Sequence, residues 1–115
     1  MKIMKLADAK VGVPPKHFNM VSLSLHGPEP EGFHNMLIMG LSEFLPGGGC
    51  EALEMKADCI YYILEGEMTV SNKSGEYVLK QGDSVRFEID EFRGLENKSN
   101  DVAKMLLVAA LPPQK

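Results

Sequence analysis

Short runs of alternating apolar and polar residues, separated by glycine-bearing turns, restrict the fold of this chain more than any other feature. Side chains two residues apart share a face only in an extended strand, so each run predicts a strand. The clearest runs span residues 21–25, 68–71, 77–80 and 85–89. No segment has the period of an amphipathic helix. Strands at intervals of about 8 to 12 residues, divided by turns, predict an all-β sandwich or barrel.

Two longer segments, 36–45 and 102–111, are apolar almost without interruption. A continuous apolar run of this length is typical of a strand whose two faces are both covered. We therefore expect these segments to be the central strands of the sheet.

Length and composition limit the classes of function. With 115 residues, the chain is expected to form one domain over residues 1–115, with 1–17 as an N-terminal arm or edge strand. The net charge is −4 and there is no basic stripe, so no nucleic-acid partner is expected. The charged N-terminus lacks an apolar signal core, and the run at 105–111 is too short to span a membrane. These observations predict a cytoplasmic protein without a membrane partner, in which Cys50 and Cys59 are free thiols.

Two glycine-framed segments carry a family resemblance. Gly47 and Gly66 frame the first, which closes with the sequence Leu-Glu-Gly-Glu at 64–67. The second begins at Gly82 and Asp83 and leads to Arg93 and Asn97. The pattern resembles the two motifs of the cupin superfamily: Gly-x5-His-x-His-x3/4-Glu-x6-Gly, and Gly-Asp followed by histidine and then asparagine four residues later.

The resemblance covers roughly residues 36–111. It implies an all-β double-stranded β-helix, which is a jelly-roll barrel. It also implies a homodimer, because members of the family commonly pair through their edge strands.

The four positions at which the family carries metal ligands are all changed. The two histidines of the first motif fall on Leu53 and Met55, the glutamate on Cys59, and the histidine of the second motif on Arg93. The three histidines of the chain, at positions 17, 26 and 34, lie outside both motifs. The sequence therefore predicts no metal or other cofactor.

The four altered positions, together with Tyr61, which shares a strand face with Cys59, define a candidate ligand site inside the barrel. Its predicted members are Arg93, Tyr61, Cys59, Met55 and Leu53. A guanidinium cannot lose its charge, and its planar donors suit a carboxylate, so the site is predicted to bind a small organic anion. The alternative interpretations of Arg93 are an exposed arginine or one that forms a salt bridge. The candidate partners for such a bridge are Glu51, Glu54, Glu91 and Glu96.

The register of the strand that carries Leu53 also has two interpretations. If Leu53 and Met55 face inward, the polar Glu54 faces solvent, which agrees with burial preferences. A shift by one residue would instead turn Glu54 inward towards Arg93. Asp58, one residue before the motif position at Cys59, is expected to lie in a turn.

Three functional hypotheses follow. The first is a metal-independent protein that binds a small anion in the barrel. The second is a small isomerase, epimerase or decarboxylase, in which Arg93 holds a carboxylated substrate and Tyr61, His17 or His34 moves the proton. The third is a metal site with atypical ligands drawn from Cys59 and Met55, or from His17 and His34. Cys50 is five residues from Met55, an odd separation that would place it on the opposite face of a regular strand.

Overall fold

The computed structural model describes residues 1–27 and 37–111 and confirms the predicted all-β fold. A short 3₁₀ turn at Leu6–Asp8 precedes nine strands in these residues. The strands are β1 (Lys10–Gly12), β2 (His17–His26), β3 (Leu37–Glu54), β4 (Asp58–Glu65), β5 (Glu67–Asn72), β6 (Gly75–Lys80), β7 (Ser84–Phe87), β8 (Phe92–Glu96) and β9 (Ala103–Ala110). No helix in the described ranges is both long and apolar enough to span a bilayer.

All strand pairs are antiparallel, and the hydrogen-bonded order is β6-β5-β8-β3-β9-β4-β7. Of the two predicted apolar segments, 36–45 forms the first part of β3, with residue 36 outside the described residues, and 102–111 forms β9. β3 and β9 are neighbours in the middle of this order. β2 lies along the other side of β3, and β1 pairs with β2. The result is a nearly closed jelly-roll barrel.

β3 belongs to two sheets because it bends near its middle. Residues 37–44 pair with β9, whereas 49–54 pair with β8. We call the sheet of β2, β3, β9, β4 and β7 the first sheet, and the sheet formed by the end of β3 with β8, β5 and β6 the second sheet. Arg93 and its partners lie between these two sheets.

The run of three glycines after Pro46 makes the bend possible. Gly47 has φ +82°, a conformation that L side chains rarely adopt. A Cβ atom on Gly48 would lie 2.1 Å from the carbonyl oxygen of Asn19, and one on Gly49 would lie 2.1 Å from that of Leu95. The neighbouring backbones therefore approach too closely for any side chain at Gly48 or Gly49.

Asn97, the asparagine of the second motif, has a structural role. Its fully buried side chain donates to the carbonyl oxygens of Phe44 (3.1 Å) and Asp101 (2.8 Å). Its Oδ1 atom accepts from the backbone and hydroxyl of Ser99. Its backbone exchanges two 2.7 Å hydrogen bonds with Gly47 and Gly48. These bonds fix the β8–β9 connection against the bend in β3.

The core fills the space between the two sheets. Side chains from β2, β3, β4, β5, β7, β8 and β9 contribute to it, including three buried methionines that pack as flexible apolar groups. Its buried hydrophobic members are Met20, Phe44, Cys50, Cys59, Tyr61, Ile63, Met68, Val70, Phe87, Leu95, Ala103, Met105 and Ala109.

Candidate functional site

The candidate site is a group of polar side chains around one buried arginine. Four strands supply it, and we call it the Arg93 cluster. Its members are Arg93 on β8, Tyr61 and Cys59 on β4, Cys50 on β3 and His17 at the start of β2.

Arg93 is only 8% exposed and makes two hydrogen bonds to neutral groups. Its Nη1 atom donates to the hydroxyl of Tyr61 at 2.8 Å, and its Nη2 atom donates to the sulfur of Cys50 at 3.1 Å. The buried Nε atom has no partner among the described residues. The guanidinium has five N–H donors, so a ligand could accept from those that remain.

No carboxylate of the described residues forms an ion pair with Arg93. The salt bridges to Glu51, Glu54, Glu91 or Glu96 are therefore wrong, and so is the exposed arginine. Glu51 pairs with Lys16, and Glu91 binds backbone and side-chain donors near Asn72 instead. A buried charge without a counter-ion is costly, which makes Arg93 the most unusual residue of the core.

Cys50 lies beside Arg93 because β3 is irregular. Between Cys50 and Leu53 the strand gains one residue relative to β8: Cys50 pairs with Leu95, and Leu53 with Arg93. This β-bulge places Cys50 on the same face as Leu53 and Met55. The prediction that Cys50 lies on the opposite face was wrong, since it assumed a regular strand.

The side chains of Leu53 and Met55 are buried to different extents. Leu53 pairs directly with Arg93 and so lies on the same side of the sheet, but it is 36% exposed. Met55 is half-buried and packs against the core. Glu54 pairs with Phe92 and is exposed, so the register that turns Glu54 inward is wrong. Whether Leu53 and Met55 contact a ligand stays a prediction.

Tyr61 and Cys59 keep their protons at neutral pH. Burial raises the pKa of the Tyr61 hydroxyl, and the neighbouring Cys59 raises it further, whereas Arg93 opposes both effects. Burial also raises the pKa of the Cys59 thiol, whereas the hydrogen bond with Tyr61 and the charge of Arg93 lower it by less. The ring of Phe87 packs edge-on against Tyr61. The cluster therefore offers a phenol and a neutral thiol beside a cation.

Cys50 is a neutral thiol as well. Burial raises the pKa of its thiol, although the positive charge of Arg93 acts in the opposite direction. The sulfur accepts from Arg93 and donates to the carbonyl oxygen of Glu51 at 3.3 Å. Both cysteines are free, as predicted from the sequence.

His17 reaches the same region from the N-terminal segment. It pairs with Cys50 across β2 and β3, and paired residues share a face of the sheet. Its Nδ1 atom lies 2.8 Å from the carbonyl oxygen of Pro15, which makes Nδ1 the donor and leaves Nε2 as an acceptor. Burial lowers the pKa of His17, and the charge of Arg93 lowers it further, whereas the hydrogen bond to Pro15 raises it. His34, the other candidate, lies outside the described residues.

The prediction that Asp58 lies in a turn was wrong. Asp58 is the first residue of β4 rather than part of a turn, and its carboxylate accepts from the backbone N–H of Ile89 at 2.9 Å. This bond ties the turn after β7 to the start of β4, and it leaves Asp58 outside the Arg93 cluster.

The residues at the metal positions of the fold do not fit a divalent cation. Leu53 has no donor atom, Met55 has only a thioether, Cys59 holds its proton, and Arg93 is itself a cation. No group of three histidine, cysteine or acidic residues in the described part of the chain could hold a metal ion.

Comparisons with known proteins agree with this architecture. Residues 40–109 match the family model described as a cupin domain. A protein named beta-D-galactosidase Rv1717, from Mycobacterium tuberculosis, is 31% identical over 112 residues, which cover 97% of this chain and 96% of that protein.

Two solved structures share the fold at low identity. The polyketide cyclase RemF from Streptomyces resistomycificus has a TM-score of 0.82 at 20% identity, covering 98% of this chain and 82% of the cyclase. A predicted oxalate decarboxylase from Thermotoga maritima has a TM-score of 0.78 at 20% identity, covering 96% of this chain and all of that one.

Proposed function

We propose that this chain, which belongs to the cupin domain family, binds a small organic anion at Arg93. In this proposal the binding needs no metal. The observation that carries the proposal is the buried guanidinium that has neutral partners and an unsatisfied Nε atom. A ligand carboxylate would supply the missing negative charge and accept two N–H bonds from one planar group.

The surroundings of Arg93 support an anionic ligand rather than a neutral one. The acidic groups near it, Glu51 and Glu54, are exposed, so none competes for the guanidinium inside the barrel. Tyr61 and Cys59 add polar groups that could orient the ligand, and Met55 and Leu53 add apolar surface. A few placed polar groups on an apolar wall are typical of small-molecule sites.

Calorimetric titration with a panel of small ligands tests this function. The panel contains mono- and dicarboxylates, 2-oxo acids, uronic acids, inorganic phosphate and neutral sugars. We expect saturable binding of at least one carboxylate and loss of at least about thirtyfold in affinity in Arg93→Met, since charged hydrogen bonds of this kind contribute about 2 kcal/mol or more. Arg86→Met is the matched control, because Arg86 is exposed on β7 and pairs with Glu88.

Three results would contradict the proposal: no carboxylate binds, Arg93→Met keeps the affinity, or the purified protein contains a stoichiometric transition metal. Arg93→Lys adds a further comparison. It keeps the charge but loses the planar fork, so it should bind more weakly than the unchanged protein and more tightly than Arg93→Met.

His17 favours a second candidate function, in which the same site is an enzyme. A neutral imidazole with a fixed tautomer can accept a proton, and the protonated Tyr61 can donate one, so a carboxylate held by Arg93 could be isomerised, epimerised or decarboxylated. Solvent deuterium incorporation into bound 2-oxo and uronic acids, followed by NMR, separates this function from binding alone. Catalysed exchange that His17→Gln slows by about a hundredfold or more would establish it.

The galactosidase name of the relative suggests a sugar substrate, and the site offers one argument against the usual hydrolysis. Glycosidases commonly use two carboxyl groups about 5 to 9.5 Å apart, on either side of the bond that is cleaved. The buried polar side chains of the described residues are Ser42, Thr69, Arg93 and Asn97, with no carboxyl group among them. We therefore expect no release of nitrophenol from nitrophenyl β-D-galactoside above the buffer rate. Turnover that Arg93→Met abolishes would place galactoside chemistry in this site.

A further inference from the structure

A polar trough lies on the outward side of the second sheet, away from the interior of the barrel. A cavity of about 190 Å³ has a floor of short side chains from three strands, which are Ala52, Gly94, Ser71 and Thr69. A second cavity of about 80 Å³ shares the first three of these residues and extends towards Phe92. We call the two cavities together the outer trough.

Strand alternation places this floor on the outward side of the sheet. Met68 and Val70, the neighbours of Thr69 on β5, are core residues, so Thr69 and Ser71 point the other way. Gly94 pairs with Ser71 across β5 and β8 and therefore lies on the same side. The thickness of the sheet separates the outer trough from the anion site.

The depth of the outer trough depends on Gly94. A Cβ atom at this position would collide with the hydroxyl oxygen of Ser71, and it would lie 3.7 Å from the Cβ atom of Ala52. Because the residue has no side chain, the backbone of β8 stays open between these two short side chains. A larger residue here would fill the space in which a ligand can lie.

Thr69 is the residue that points to a ligand. It is only 9% exposed and lines the larger cavity, yet its hydroxyl has no hydrogen-bond partner among the described residues. Within the same part of the chain, the hydroxyl of Ser71 has none either. A buried hydroxyl that forms no hydrogen bond destabilises a fold, because it has lost its contact with bulk water. Ligand hydroxyls that donate to these groups and accept from them would satisfy both.

The charges around the outer trough are balanced. Lys98 and Glu76 line it as an ion pair, with Nζ 3.1 Å from Oε2, and Glu96 and Lys73 add one charge of each sign. The guanidinium of Arg93 lies on the other side of the sheet. An ionic ligand would therefore be repelled by one member of each pair while the other attracts it. Ammonium and carboxylate groups both form strong hydrogen bonds with neutral hydroxyls, so this lining favours an uncharged ligand with several hydroxyl groups.

We propose that the outer trough binds a neutral polyhydroxylated molecule of one ring, a monosaccharide or a cyclic polyol. Thr69 and Ser71 bond to its hydroxyls on the floor, and Lys98 and Glu76 bond to others at the rim. The volume sets the size, because about 190 Å³ corresponds to roughly six water molecules at ~30 Å³ each and is smaller than the cavities that hold drug-sized ligands. This site is additional to the anion site and does not depend on it.

Amide NMR spectra of the isotope-labelled protein, titrated with glucose, galactose, xylose and myo-inositol, test the site. We expect saturable shifts at the amides of Thr69, Glu76 and Lys98 with at least one of these probes at about 10 mM or below, since small ligands with few contacts bind weakly. The amides of Cys59 and Tyr61, at the anion site, should not shift. Sodium acetate and inorganic phosphate are the charged probes, and neither should displace the neutral one.

Thr69→Val replaces the unpartnered hydroxyl by a methyl group of similar size. It should weaken binding by about fivefold or more, the effect of one neutral hydrogen bond, and yet melt at the same or a higher temperature without ligand. Lys98→Met should weaken binding by about tenfold, because a charged donor is lost. Lys104→Met is the matched control, since Lys104 forms an ion pair with Glu43 on the first sheet at 3.5 Å, and it should keep the affinity.

The proposal is overturned if none of the neutral probes shifts the three trough amides at about 100 mM, or if the shifts occur at Cys59 and Tyr61 instead. Unchanged affinity in both Thr69→Val and Lys98→Met would also overturn it. Displacement of the neutral probe by acetate or phosphate would show that the class of ligand is wrong. If either variant fails to fold, the pattern of shifts in the unchanged protein decides alone.

Discussion

Arg93 retains a full positive charge inside the barrel while its hydrogen-bond partners, Tyr61 and Cys50, are neutral. Removing a charge from water costs several kcal/mol, and neutral acceptors return only part of that cost. If Arg93 served stability alone, an apolar side chain at this position would make the fold more stable. A functional role is therefore indicated less by the arginine itself than by the fact that its charge has no counter-ion among the described residues.

We predict that Arg93→Met increases the free energy of unfolding by about 1–2 kcal/mol, because replacing an uncompensated buried charge with a packed apolar side chain is often stabilising. Cys50 and Tyr61 keep other partners, Glu51 and Cys59, so neither is left unsatisfied. Urea denaturation without ligand measures the change. A decrease of more than about 1 kcal/mol would indicate that Arg93 is a structural residue, whereas Arg86→Met should change the free energy by less than about 0.5 kcal/mol.

His17 should make stability depend on pH. The pKa of His17 is lowered in the folded chain, mainly by burial, from an ordinary value of 6.5. Between the two values the unfolded chain binds more protons, so stability contributed by His17 is present above about pH 6.5 and is lost as the pH falls. We expect His17→Gln to flatten the melting-temperature profile between pH 7 and 5. Parallel profiles for the two proteins would show that His17 does not have the lowered pKa.

At the scale of elements, β3 decides how the site is assembled. Its glycine run lets one strand serve two sheets, and its bulge then places Cys50 on the face of Arg93. The framing glycines were recognisable in the sequence because positive φ and close backbone contacts need glycine. The bulge was not, since a one-residue insertion depends on the partner strand, which local alternation does not reveal.

The other residues of the site differ in how far the sequence predicts them. Arg93 could be found because the chain resembles the second cupin motif at Gly82-Asp83 and Asn97, and this resemblance places Arg93 at the position of the motif's histidine. His17 could be named only as a candidate, because its place opposite Cys50 depends on the pairing of β2 with β3. The exposure of Leu53 depends on how deep the barrel is at that point, which the strand period does not encode.

Gly49→Ala tests the close packing at the bend. The new Cβ atom would lie 2.1 Å from the carbonyl oxygen of Leu95, so β8 would have to move away. We expect a loss of about 3 kcal/mol or more in the free energy of unfolding, comparable to other severe backbone clashes. Gly12→Ala is the matched control, because a Cβ atom added there would have no atom within 4 Å apart from its chain neighbours. It should be neutral or slightly stabilising, and a similar loss in both variants would contradict the close packing at Gly49.

At the scale of the whole molecule, the sequence predicted that 36–45 and 102–111 are covered on both faces. β3 and β9 are central, as expected, yet only one face of each contacts the core, and apolar residues such as Leu41 and Leu106 lie on the opposite face. A local pattern can report that a strand is apolar on both sides. It cannot report what, if anything, lies against the second face.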